Sequence, residues 1–126
     1  MSIRVVVVDD QDLVRTGLVM IVNAHPDFEV VGEAADGLAA IELVTRLRPD
    51  VLLIDIRMPG LDGVEVTRRL AGPGVADPVA VVVITTFDSD DYVLGAVRAG
   101  ARGFLLKDAG PALLIPQIDA GIDGVD

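Results

Sequence analysis

The sequence predicts an α/β domain built on a doubly wound parallel sheet, with five strands and helices on both faces. Three observations lead there. Continuous apolar runs recur at Val5–Val8, Val51–Ile54 and Val79–Ile84 without polar alternation, so both faces of those strands are covered. Amphipathic helical patterns lie between the runs, and turn residues punctuate the joins.

Taken in order, VVVV at Val5–Val8 is the first strand and residues 11 to 24 read as the first helix, closed by His25-Pro26. Val30-Val31 marks a short second strand. Ala40, Leu43, Val44 and Leu47 have i, i+3, i+4, i+7 spacing and predict a second helix with one apolar stripe, ended before Pro49. VLLI at Val51–Ile54 is the third strand, residues 63 to 71 the third helix, and Gly72-Pro73-Gly74 its stop. Val79–Ile84 forms the fourth strand. Val93, Ala96, Val97 and Gly100 give the stripe of a fourth helix, and Phe104–Leu106 a fifth strand. In the final stretch, PALLIPQIDAGIDGVD, Pro111 suits a helical first turn, but Pro116 and the glycines predict a fifth helix that is short or irregular.

At 126 residues the chain is expected to be one domain with a single sizeable core. Four aromatic residues leave that core to Val, Leu, Ile and Ala. Twenty acidic residues against ten basic ones give a formal charge of -10, which argues against direct contact with nucleic acid or an anionic membrane and favours a cation or a basic partner. The absence of cysteine removes disulfides, zinc-thiolate sites and thiol chemistry. With no signal peptide or membrane-length apolar run, it points to the cytoplasm.

Ligands in such sheets bind beyond the carboxyl ends of the strands. Polar residues gather there: Asp9-Asp10 after the first strand, Asp55 after the third, Thr85-Thr86 after the fourth and Lys107 after the fifth. Two carboxylates about 4 Å apart repel by roughly 4 kcal/mol at an effective dielectric of 20, so the cluster calls for a compensating cation. All-oxygen donors suit Mg²⁺, with Asp9 and Asp10 as the metal-holding pair and the Arg57 carbonyl as a further ligand candidate. Lys107 offers a mobile charge for phosphoryl oxygens and Thr85 a hydroxyl donor. Asp55, alone at its strand end, is then the best-placed nucleophile toward phosphorus.

Singly these residues have plainer readings. Asp10 or Asp12 alone would cap the first helix, Asp62 and Asp88 would make caps or turns, and Pro59-Gly60 would be a tight turn. Phe104 alone would be a core aromatic, Lys107 a solvated lysine and His25 a surface residue without catalytic role. Core packing alone gives no reason for polar residues to gather at four strand ends.

VVVVDD, LLIDIRMPGLDG, ITT and FLLK, with matching separations between them, resemble the receiver domain of two-component response regulators over nearly the whole chain. GARGFLLKDA and TTFDSDDYV are most similar to its NarL/FixJ (LuxR-type) subfamily. The resemblance implies a flavodoxin-like strand order 2-1-3-4-5 and phosphorylation of Asp55 by a sensor histidine kinase. It also implies Mg²⁺ on Asp10, Asp55 and the Arg57 carbonyl, with Asp9 helping through water, and a phosphoryl group held by Thr85 and Lys107. Phe104 would be the ring that reorients with Thr85, acting through packing because it lacks a hydroxyl.

The subfamily usually carries a C-terminal helix-turn-helix domain, so the expectation is either a piece of a longer regulator, with DNA contact left to a segment absent here, or a stand-alone receiver; homodimerisation on phosphorylation is a further implication of the resemblance. Family members often have a cis-proline after the lysine. With Asp108 in that place, the expected bond is trans. A haloacid-dehalogenase-like aspartyl phosphohydrolase would need its D-x-D nucleophile at the end of the first strand, where Asp10-Gln11-Asp12 is displaced. A nucleotide- or flavin-binding module would need a glycine-rich loop there.

Overall fold

The computed structural model describes residues 2–85, 90–107, 112 and 114–123. Along the chain run β1 (Ile3–Val8), α1 (Asp12–Ala24), β2 (Phe28–Ala34), α2 (Gly37–Leu47), β3 (Val51–Asp55), α3 (Gly63–Ala71), β4 (Ala80–Thr85), α4 (Asp90–Ala99), β5 (Gly103–Leu106) and α5 (Leu114–Asp123). All paired strands are parallel, in the order β2-β1-β3-β4-β5. The predicted architecture is therefore present.

The chain covers the sheet on both faces because alternate residues of the buried strands feed two separate cores. Val6, Val8, Leu52, Ile54, Val81 and Val83 pack with Ala40 and Val44 of α2, Val66 of α3 and Ala96 of α4. Val5, Val7, Leu53, Val82 and Ile84 pack on the opposite side with Val22 of α1 and Leu114 and Ile118 of α5. Burying a Val, Leu or Ile side chain contributes roughly 1.5–3 kcal/mol, so this double layer holds the strand ends rigidly in register. Among the described residues no helix is long and apolar enough to cross a membrane.

Three local expectations change. Strand β2 extends over seven residues around Val30-Val31, because Phe28 and Ala34 also find buried positions. Among the described side chains of α4, Ala96 and Ala99 are buried and Val97 is exposed, so the inward position falls to Ala99 where Val97 was expected. Pro116 does not break α5. The described helix begins at Leu114, which places Pro116 third in the helix, within the first turn, where a missing N–H breaks no helical hydrogen bond. Gly121 is buried there, with no room for a Cβ beside Val82 Cγ2. Asp88, Thr86 and the Lys107–Asp108 bond lie outside the described residues.

Candidate functional site

The carboxyl rim of the sheet is set by β3, whose five residues are all buried. Asp55 is its last residue, 4% exposed, and pairs in register with Ile84 of β4. Thr85 stands one step beyond Ile84 and is fully buried, while Lys107 follows Leu106, the register partner of Thr85. On the other side Asp9, also fully buried, follows the end of β1, with its N–H donating to Ala34 O at 3.2 Å. Topology thus brings the polar residues of four strand ends to one rim, as expected.

The loop after Asp55 is closed on itself. Ile56 N donates to Ile84 O at 2.9 Å, and Gly63 N returns to Ile56 O at 2.8 Å. Between these points Met58 is buried, Gly60 takes a left-handed φ of 76°, and Asp62 caps α3 by accepting from Glu65 N at 2.9 Å. A Cβ at Gly63 would collide with the Asp55 carbonyl oxygen and lie 2.7 Å from Ile56 Cα, so only glycine lets α3 start this close to the strand end.

Lys107 joins the acids. Its Nζ lies 2.9 Å from Asp9 Oδ2 and donates to Asp55 Oδ2 at 3.3 Å and Gln11 Oε1 at 3.2 Å. The Asp9 contact lacks the angles of a directed hydrogen bond, leaving Oδ2 a buried acceptor held by charge alone, while Oδ1 accepts from Gln11 N at 2.9 Å. Arg57 N donates to Asp55 Oδ1 at 3.3 Å. Burial pushes the Asp55 carboxyl above the ordinary carboxylate range; Lys107 and the Arg57 N–H counter this, and the Asp9 charge adds to it. For Lys107 burial acts downward, but contact with Asp9 and the charge of Asp55 outweigh it and raise its pKa.

Asp9, Asp10 and Asp55 each offer an oxygen, and these atoms lie within 4.8 Å of one another. Two oxygens on opposite sides of a Mg²⁺ ion with bonds of 2.0–2.1 Å are about 4.2 Å apart, so small rotations or one bridging water close the set. The donors are all hard oxygens. Lys107 pairs with Asp9 and Asp55 but not with Asp10, and a third carboxylate beside them fits a divalent cation. The cleft over them, lined by Asp10, Gln11, Asp55, Arg57 and Lys107, encloses about 190 Å³.

The plainer readings divide. Asp62 is a cap, as expected. Neither Asp10 nor Asp12 caps α1: the N-cap position is Gln11, which makes no side-chain cap bond. His25 closes α1, its Nδ1 accepting from Asp27 N at 3.2 Å. Phe104 is 41% exposed on β5, so it is not a core aromatic. Sequence reasoning overlooked Gln11 and Arg15, which brace the acidic pair; the only local sign was the i, i+3 spacing of Asp12 and Arg15 on one helix face.

Residues 5–119 match the response regulator receiver domain family, and the chain belongs to it. The relatives it resembles are NarL- and LuxR-type regulators. It is 43% identical to the transcriptional regulatory protein YxjL of Bacillus subtilis over 98% of this chain and 56% of that protein. To the nitrate/nitrite response regulator NarP of Escherichia coli it is 39% identical over 96% of this chain and 55% of that protein. The chain therefore spans about half the length of these curated relatives. The signal receiver domain of the response regulator NarL from Mycobacterium tuberculosis superposes with a TM-score of 0.91 at 39% identity, covering 98% of both chains.

Proposed function

We propose that the chain is a phosphorylation-dependent switch in which Asp55 accepts a phosphoryl group from a sensor histidine kinase in a Mg²⁺-dependent step. One observation carries this reading: a nearly buried carboxylate at the end of the central strand faces an ammonium 3.3 Å away inside a cluster of acids able to share a cation. One Asp55 oxygen attacks phosphorus as the P–N bond to the histidine breaks. The bond pair returns to an imidazole protonated on its other nitrogen, which departs neutral.

Asp10, Asp55 and the Arg57 carbonyl would hold Mg²⁺, with Asp9 acting through water. The ion supplies charge neutralisation for the phosphoryl oxygens in the transition state. Lys107 exchanges its Asp9 contact for a phosphoryl oxygen, and the Thr85 hydroxyl donates to another. Movement of Thr85 leaves space for the Phe104 ring, whose exposed position on β5 favours a packing change there.

An apolar groove lined by Leu13, Val14, Leu18, Leu105 and Leu114 reaches Lys107 and gives a kinase helix apolar contact beside the acceptor. Output passes to a C-terminal DNA-binding domain, with dimerisation on phosphorylation and a cytoplasmic setting, as the transcriptional regulators among the relatives suggest. The cleft is smaller than the roughly 300–1,000 Å³ of small-molecule sites, which favours a switch over a turnover enzyme.

The test is intact-mass measurement after incubation with a small acyl phosphate and Mg²⁺. Wild type gains one phosphoryl group per chain and Asp55→Asn gains none; equal labelling of both sinks the assignment.

A further inference from the structure

The pairing of β1 with β2 slips by one residue: Val5 pairs with Val30 but Val6 with Gly32, so Val31 is skipped. Such a slip exchanges the faces of every residue that follows. Before it, Phe28 and Val30 pack in the core beneath α1 and α5. After it, Ala34 packs in the opposite core, and a Cβ at Gly32 would meet Leu43 and Leu47 of α2 at 3.1 to 3.5 Å. Glu33 is thereby turned to the α1 side, where Arg15 Nε donates to its Oε1 at 3.3 Å. An unbroken strand would have pointed Glu33 toward α2.

Arg15 uses its remaining nitrogens locally. Nη2 donates to Asp12 Oδ1 at 2.8 Å and Nη1 to the backbone carbonyl of Asp9 at 2.7 Å, with the side chain only 17% exposed. That carbonyl shares a rigid peptide plane with the N–H of Asp10, so fixing it fixes the direction in which Asp10 leaves the backbone. Among the described residues no hydrogen bond holds the exposed Asp10 carboxylate itself, so its aim is inherited from the main chain.

From this geometry we infer that Arg15, braced by Glu33 through the Val31 bulge, is a positioning residue for the cation site. The inference rests on the reading of Asp9, Asp10 and Asp55 as that site. Arg15 acts through the Asp9 carbonyl and touches neither ion nor phosphoryl group. Position and charge make opposite demands, which allows them to be separated. If Arg15 mattered only as a positive charge near the acids, its removal would tighten cation binding.

The experiment is calorimetric titration of the chain with Mg²⁺ alone, for wild type, Arg15→Lys, Arg15→Met and Glu33→Gln, each confirmed folded by circular dichroism. Loss of the fork in Arg15→Lys weakens binding roughly tenfold, the low end for groups that orient metal ligands. Arg15→Met weakens it at least as much, and Glu33→Gln less. Tighter binding by Arg15→Met, or unchanged binding by Arg15→Lys, overturns the inference, as does a lowered melting temperature with unaltered affinity.

A second readout needs no metal. In Arg15→Lys the amide signals of Asp10 and Gln11 shift and their hydrogen exchange quickens; unchanged signals overturn the positioning role. Absence of Mg²⁺ binding by wild type would instead bring down the cation reading itself.

Discussion

The two rims of the sheet treat charge in opposite ways. At the amino rim, Arg4 donates to the carbonyls of Leu47 and Arg48 at 2.8 and 2.9 Å, satisfying the end of α2, and its N–H donates to Asp50 at 2.9 Å. Arg48 pairs with Asp77 at 2.9 Å, with both side chains mostly in water. Each of these four charged side chains has its own partner. At the carboxyl rim, three carboxylates crowd together, and the two buried ones, Asp9 and Asp55, share Lys107. The amino rim is arranged for stability, whereas the carboxyl rim keeps an electrostatic conflict that a bound cation can relieve.

Lys107→Ala should break this contrast most strongly. It leaves Asp9 and Asp55 without their shared cation, and breaking a buried pair by removing one partner costs about 3–5 kcal/mol. The metal-free variant should therefore melt well below wild type in calorimetry. Its phosphorylation rate should fall roughly a hundredfold, as when a single transition-state donor is removed, while Mg²⁺ affinity is kept or improved. Collapse of Mg²⁺ binding would contradict the role given to the lysine.

Asp55→Asn should act in the opposite direction. Burial raises the Asp55 carboxyl pKa, so its ionisation costs the folded state free energy at neutral pH. The metal-free variant should melt a few degrees above wild type at pH 7, a change on the order of 1 kcal/mol. Because the folded pKa lies above the unfolded one, the folded state of wild type binds the extra proton, and the difference should shrink as pH falls through the raised value. Mg²⁺ at a hundred times its dissociation constant should stabilise wild type by about 2.7 kcal/mol and Asp55→Asn much less. Parallel melting curves with pH and Mg²⁺ check both statements.

Smaller effects belong to the amino rim. Arg4→Met removes hydrogen bonds to the end of α2 and should cost about 1 kcal/mol, with Mg²⁺ affinity unchanged. Arg48 sits in the left-handed region at φ 49°, where glycine is favoured. Arg48→Gly gains there what it loses in an exposed ion pair, so denaturant melts should place it within about 0.5 kcal/mol of wild type.

The strands Val5–Val8 and Val51–Ile54 were legible because full burial on both faces leaves an unbroken apolar run, and polar residues at their ends then stand out. Helix 63–71 was equally plain, with Gly72 beyond it. The α4 stripe was misjudged because hydropathy favours Val97 over Ala99, while close packing between helices rewards the smaller side chain. Pro116 misled for a different reason: its effect depends on where the helix begins, which a proline does not announce. The brace of Arg15 and Glu33 was harder to read. It requires a skipped residue in β2, whose sign in the sequence, Gly32 inside the strand, does not say which side chains the slip brings together.

The missing side chain at Gly63 has a mechanical result. With no Cβ to act as a spacer, the start of α3 rests on the Asp55 carbonyl, and the hydrogen bond from Gly63 to Ile56 ties the intervening loop into a short ring. A ring anchored at both ends cannot absorb a tug by slackening. A displacement of Arg57 would therefore be felt at the start of the third helix.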